Sequence, residues 1–184
     1  MSKEKQEIDI INGCKKRSRK SQEQLYKNYY RVMATLCLRY TRNETDAVEV
    51  LNNGFLKVFN NIDQYEPGKA SLYTWIRTIV INSCLDFIKA KQRLEPLNEL
   101  NEASEVHVPA EVISKMKASE LIDLVRQLPP SSQTVFNLYV IEGYNHKEIA
   151  ELLGISAGTS KWHLSEARKV LQQKIIYQEL KAHG

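Results

Sequence analysis

Apolar side chains recur every three or four residues along most of this chain, the spacing of one face of a helix. Over residues 24–38 they fall at Leu25, Tyr29, Val32, Met33, Leu36 and Cys37. A second run, starting at Thr45 or Asp46, passes through Val50, Leu51, Phe55, Val58 and Phe59 towards Ile62. The stretch "QYEPGKAS" then breaks the pattern with a Pro-Gly turn. Ser71 is placed to cap a third run, whose stripe is Leu72, Trp75, Ile76, Ile79, Ser83 and Phe87. Within it "IRTIVIN" is β-branched enough for a strand, but the helical spacing continues on both sides and no partner strand is visible. Periodicity is weak over residues 95–111. It resumes over residues 112–128, stops at Pro129-Pro130, restarts at Ser131 or Ser132 through Val135, Leu138 and Tyr139, and ends near Gly143. An all-α chain is expected.

The stretch "HKEIAELLGISAGTSKWHLSEARKVL" predicts two helices about a sharp corner. Ile149, Leu153, Ile155 and Leu164 are apolar, and small Ala150 stands where the helices would cross. Gly154 sits where the backbone must turn, in a conformation that favours φ > 0. Ser156 can cap the second helix. This arrangement matches a helix-turn-helix, whose second helix enters the DNA major groove. An ordinary helical hairpin would share the corner. The inward face of the second helix, however, is Ser160, Leu164, Ala167 and Leu171, which leaves Lys161, Trp162, Ser165 and Lys169 facing out. Groups that donate and stack on the outer face favour the DNA reading.

Charge divides the chain. Residues 1–94 carry 17 Lys and Arg against 10 Asp and Glu, residues 95–111 none against 5, and residues 112–184 carry 9 against 7. The expectation is two helical domains, 1–94 and 112–184, joined by a flexible acidic linker over 95–111 that contains Pro96 and Pro109. A solvated loop explains the acidity but not the change of sign on both sides. The basic excess suggests contact with a polyanion.

Other chemistry finds little support. Hydrophobic residues make up 42% of the chain, enough to bury a core. No run approaches bilayer-spanning length, and "MSKEKQEIDI" lacks the apolar core of a signal peptide, so a cytoplasmic protein without an integral membrane segment is expected. Cys14, Cys37 and Cys84 are odd in number and widely spaced, as reduced thiols would be. They show no metal-ligand spacing with one another or with the four histidines. No metal or other cofactor is expected. There is no Gly-rich phosphate loop and no nucleophile paired with a base. Asp46 and Glu49 lie one helical turn apart, but solvation or a protein contact accounts for them. No catalytic residue is assigned.

The chain resembles the extracytoplasmic-function sigma factors of bacterial RNA polymerase. Leu128-Pro129, Gly143-Tyr144, Glu148-Ile149-Ala150 and Gly158-Thr159-Ser160-Lys161 stand where that family's −35-binding domain carries Leu-Pro, Gly-Tyr, Glu-Ile-Ala and Gly-Thr-Val-Lys. Asp46-Ala47, Phe55-Leu56-Lys57-Val58-Phe59, Trp75-Ile76 and Asn82 fall at the spacing of its −10 domain. "DIINGCKKRSRKSQEQLYKNYY" is similar to its opening segment. The resemblance runs from about Asp9 to Gln172, and no further domain is expected in the twelve residues beyond.

The resemblance implies a non-enzymatic factor that binds core polymerase at its clamp and flap, recognises promoter DNA, promotes melting and is held by an anti-sigma factor. Asp46, Glu49, Asn52, Asn53, Phe55 and Lys57 would dock the clamp. Lys69, Ser71, Arg77, Asn82, Lys89 and Arg93 would serve the −10 element, with Lys91 as a further phosphate contact. The loop before them would hold an extruded base, whose lost stacking must be regained in a pocket. Tyr73 and Trp75 are near for stacking, although Trp75 lies on the apolar stripe and suits the core. Lys161, Trp162, Ser165 and Glu166 would face the −35 major groove. The acidic linker could follow the polymerase channel that carries RNA. Three departures stand out. Glu49, Asn52 and Asn53 make the docking helix less acidic than usual. Ser160 replaces the family's Val. His163 and Glu166 replace frequent arginines, so the −35 sequence would differ. The alternative is a stand-alone helix-turn-helix repressor or activator, which leaves the "DAVEVLNNGFLKVF" and "SLYTWIRTIVIN" pair unexplained. A helical scaffold protein would show no DNA dependence.

Overall fold

Polar caps set where the helices of the first unit begin. In the computed structural model, which describes residues 3–92 and 118–182, this unit holds α1 (Lys3–Lys15), α2 (Arg19–Tyr40), α3 (Glu44–Asn61), a 3-10 turn (Ile62–Gln64) and α4 (Leu72–Gln92). Ser18 caps α2 by accepting from the Ser21 N–H, 3.4 Å away. Asn43 caps α3, accepting from the Asp46 N–H at 2.7 Å. The helix therefore begins earlier than Thr45 or Asp46, because the Asn43 amide satisfies an N–H that otherwise has no partner in the first turn. Ser71 caps α4 as expected, with the Thr74 N–H donating to its Oγ at 3.1 Å. The β-branched "IRTIVIN" stretch is helical.

Helices α2, α3 and α4 pack on one another, and α1 lies on α2. Their core contains Leu25, Met33, Leu36, Val50, Leu51, Phe55, Val58, Leu72, Ile76 and Val80, together with all three cysteines, which are free thiols. Two sequence stripes need correcting. Val32 of α2 is exposed, and Tyr29 is half-buried. In α4, Val80, Ile81, Cys84 and Leu85 are buried, while Trp75, Ile79 and Phe87 are half-buried. A single-face stripe fails here because α4 packs against both α2 and α3. Gly54 marks a close approach of α3 to α4: a Cβ there would stand 3.1 Å from Val80 Cγ2.

The chain divides into two units, Met1–Glu95 and Pro96–Gly184. The expected linker over 95–111, the start of the helix expected from Val112, and Arg93 lie outside the described residues. The second unit holds α5 (Ala118–Arg126), α6 (Pro130–Phe136) continuing through a π turn (Asn137–Ile141), α7 (His146–Leu153) and α8 (Ala157–Ala182). Pro130 is the first residue of α6, where its missing N–H costs nothing. Ser132 is therefore not a cap but a buried residue. Helices α6 and α7 both pack on α8. Leu124 meets Ile175, and Val125 and Leu128 surround Ala167 with Phe136, Val170 and Leu171 against them. Described elements are all helical, and no described helix is long and apolar enough to cross a membrane.

Candidate nucleic-acid interface and polymerase-docking face

The corner between α7 and α8 is built from capping interactions. Asn145 accepts from the N–H groups of Lys147 and Glu148, and the Glu148 carboxylate accepts from the Asn145 N–H at 2.7 Å. This reciprocal capping box is visible in the Asn-x-x-Glu spacing, a signal that the sequence pattern above does not use. Gly154 ends α7 at φ 69°, the left-handed conformation expected of it. Its N–H and that of Ile155 both donate to the Ala150 carbonyl. Ser156 then caps α8 by accepting from the Thr159 N–H at 2.9 Å.

On α8, Ser160, Leu164 and Ala167 are buried and Leu171 is half-buried. Lys161, Trp162 and Ser165 are exposed, Trp162 at 45%, and Glu166 is half-exposed beside them. Lys169 departs from its outward placement, since only 8% of it is exposed. A helical wheel sees one helix alone and cannot count what the rest of the chain lays over that side. His163 turns inward, with Nδ1 3.2 Å from Ser132 Oγ on α6. Trp162 leans edge-on against this anchored imidazole, with ring centroids 4.9 Å apart. His146 Nδ1 lies 2.9 Å from Ser160 Oγ, and its ring stacks on Tyr139. Burial lowers the pKa of both histidines from the ordinary value. The charges of Lys161 and Arg168 lower His146 further, whereas Glu166 pulls His163 back up.

In the first unit, the loop before α4 is closed by Tyr65, a residue that periodicity did not single out. Tyr65 is buried, its hydroxyl donates to the Ala70 carbonyl at 3.2 Å, and its ring meets Trp75 at 5.4 Å. Lys69 is exposed and paired with Glu66 at 2.9 Å. Ser71 serves as the cap. Along α4, Tyr73, Thr74, Thr78, Asn82 and Lys89 are exposed, and Arg77 beside them is half-buried.

The helix expected to dock polymerase, α3, shows the largest correction. Phe55 is 2% exposed and packs on Tyr26 and Phe59, so its ring belongs to the core and cannot meet a partner. Asp46 is mostly buried and bound to Lys91 Nζ at 2.5 Å. Lys57 is paired with Asp86 at 2.7 Å. Both therefore tie α3 to α4. Asn52 is exposed and accepts from the Tyr26 hydroxyl at 3.1 Å; Glu49 and Asn53 are also exposed. Beside them stand Val48 and Leu56, the latter 59% exposed, two apolar residues missed because they lie off the core stripe. Among the described residues no group of His, Cys, Asp or Glu is arranged to hold a metal ion.

A first unit of this kind followed by a helix-turn-helix is the arrangement of an RNA polymerase sigma factor. Residues 25–94 match the family model of Sigma-70 region 2, and residues 118–171 that of Sigma-70, region 4. The ECF RNA polymerase sigma-E factor of Haemophilus influenzae is 23% identical over 178 residues, covering 90% of this chain and 93% of that protein. The ECF RNA polymerase sigma-E factor of Escherichia coli K12 is 21% identical over 187 aligned positions, covering 95% and 97%. Among solved structures, the sigma factor RpoE in complex with the anti-sigma factor NepR from Bartonella quintana shares the fold, with a TM-score of 0.52 and 17% identity over 84% of this chain and 96% of that one. The chain belongs to the extracytoplasmic-function sigma factors, which are transcription initiation factors and not enzymes.

Proposed function

We propose that this sigma factor, working in the cytoplasm, joins core polymerase through the outer face of α3, serves the −10 element with α4 and the loop that Tyr65 closes, and reads the −35 element with α8. The observation that carries this reading is the outer face of α8, where Lys161, Trp162 and Ser165 are exposed behind a capped corner. Lys161 can donate to guanine or phosphate, Glu166 can accept from cytosine N4, and Trp162 can press on a thymine methyl or the sugar wall. On α3, Val48 and Leu56 take over the apolar part of docking from Phe55, with Glu49, Asn52 and Asn53 around them. On α4, Asn82, Arg77 and Lys89 meet the −10 strands, joined by Lys69 from the loop and by Arg93. The exposed Val140 and Ile141 of the π turn supply an apolar patch for the flap. The RpoE–NepR complex supports an anti-sigma factor as a further partner.

Sequencing the transcripts made from host genomic DNA by core polymerase with this chain gives its −35 motif. Trp162→Ala then changes base preference within that motif, at a cost of roughly 1–3 kcal/mol for one lost base contact, with little change in melting temperature. A collapse in stability with unchanged preference would place Trp162 in the core and overturn the groove assignment.

A further inference from the structure

Among the described residues of the second unit, two histidine–serine bonds are formed, and one of them joins the two helices of the helix-turn-helix. Ser160 is fully buried on the face of α8 that meets the rest of the unit. A buried hydroxyl without a partner is destabilising, so a serine there needs a matched group. His146, the first residue of α7, supplies it across the corner with Nδ1 at 2.9 Å. The imidazole is itself held in place, stacked on Tyr139 of the π turn with centroids 4.5 Å apart and planes 23° from parallel. We propose that His146 is a positioning residue for the recognition helix: its uncharged ring, bonded to Ser160, sets the angle of α8 to α7, and −35 recognition weakens when that ring takes up a proton.

The surroundings make protonation costly. The charged groups facing His146 from α8 are Lys161 and Arg168, and the π turn offers only Tyr139. On its own helix, Glu148 is engaged by the Asn145 N–H. An imidazolium would therefore stand against two cations. Burial, then those two cations, hold the His146 pKa below the ordinary 6.5. The unfolded chain thus binds the proton more readily than the folded one. The contribution of His146 is full above pH 6.5 and is lost as pH falls through the lowered folded value. The other bond, between His163 and Ser132, joins α8 to α6 rather than to α7, and burial lowers the His163 pKa as well, with Glu166 opposing it.

This proposal rests on α8 reading the −35 element, and one assay tests the two separately. Holoenzyme formed with the full chain transcribes a host promoter found by the sequencing above and a copy with its −35 segment scrambled. The transcript ratio between the two templates measures −35 recognition. A wild-type ratio near one at all pH values would reject the −35 reading itself. Given a high ratio at about pH 8, it holds to about pH 6.5 and falls several-fold on going down to about pH 5, because the His146 pKa lies below the ordinary histidine value. His146→Asn keeps an amide near the position of Nδ1 and cannot titrate, so its ratio stays high and loses most of the wild-type pH dependence. His146→Leu lowers the ratio about tenfold, and His146→Leu with Ser160→Val recovers most of it, since replacing both partners removes the unpaired hydroxyl. Thermal melting of each variant accompanies the assay. A pH-independent wild-type ratio, or His146→Asn with the wild-type pH profile, overturns the proposal even if His146→Leu fails to fold.

Discussion

Phe55 and Leu56 are neighbours in sequence with opposite fates. Successive helical positions point about 100° apart, so one enters the core and the other meets solvent. The motif Phe-Leu-Lys-Val-Phe therefore joins a core residue to an exposed one, the latter proposed above for docking. Phe55→Ala is expected to cost about 3–5 kcal/mol through the cavity it leaves. Leu56→Glu should stay within about 0.5 kcal/mol of the parent in stability, as surface changes usually do, yet weaken capture by core polymerase. Thermal melting beside a pull-down with core polymerase separates the two. Equal melting temperatures for both variants would mean that Phe55 is not packed as described.

At the scale of elements, helix ends and crossings rest on single residues. Gly154 must adopt φ 69°, and an added Cβ would meet nothing within 4 Å, so Gly154→Ala costs backbone strain without a clash. The expected penalty is about 1–2 kcal/mol, that of an L-residue in the left-handed region. Gly54 is the reverse case: its helix geometry is ordinary, but α4 is close. Gly54→Ala presses on Val80, and Gly54→Leu should destabilise the first unit far more than Gly154→Ala does the second. Denaturant titration of the three variants checks the order; a tolerated Gly54→Leu would rule out the close α3–α4 approach. The exposed pair Lys57–Asp86 adds little by comparison, about 0–1 kcal/mol at most.

For the whole molecule, charge decides how it finds DNA. Residues 112–184 carry only 9 Lys and Arg against 7 Asp and Glu, a weak field for a duplex on its own. The free protein should bind promoter DNA poorly, and holoenzyme should bind well. Each phosphate neutralised contributes about −0.9 to the slope of log K against log salt. Lys161→Ala should reduce the holoenzyme's slope by about one if Lys161 meets a phosphate, and leave it unchanged with altered base preference if it meets guanine. Tight, sequence-specific binding by the free chain would favour a stand-alone repressor instead.

Local rules were enough for much of this. Helical spacing marked every described helix from α2 onward, the capping role of Ser71 and Ser156 followed from their chemistry, and the left-handed turn at Gly154 followed from the need to reverse direction without a Cβ. Motif order about the acidic segment was enough to recognise a sigma factor. Burial was decided elsewhere. Whether Phe55 packs or docks, whether Asp46 and Lys57 are free or tied to α4, and how Lys169 came to be covered all depend on which neighbouring surface arrives, and periodicity describes one helix at a time. The pairing of His146 with Ser160 spans a corner, and that of His163 with Ser132 joins helices far apart in sequence. Only the folded chain brings those side chains within hydrogen-bonding distance, where burial makes each hydroxyl depend on its imidazole.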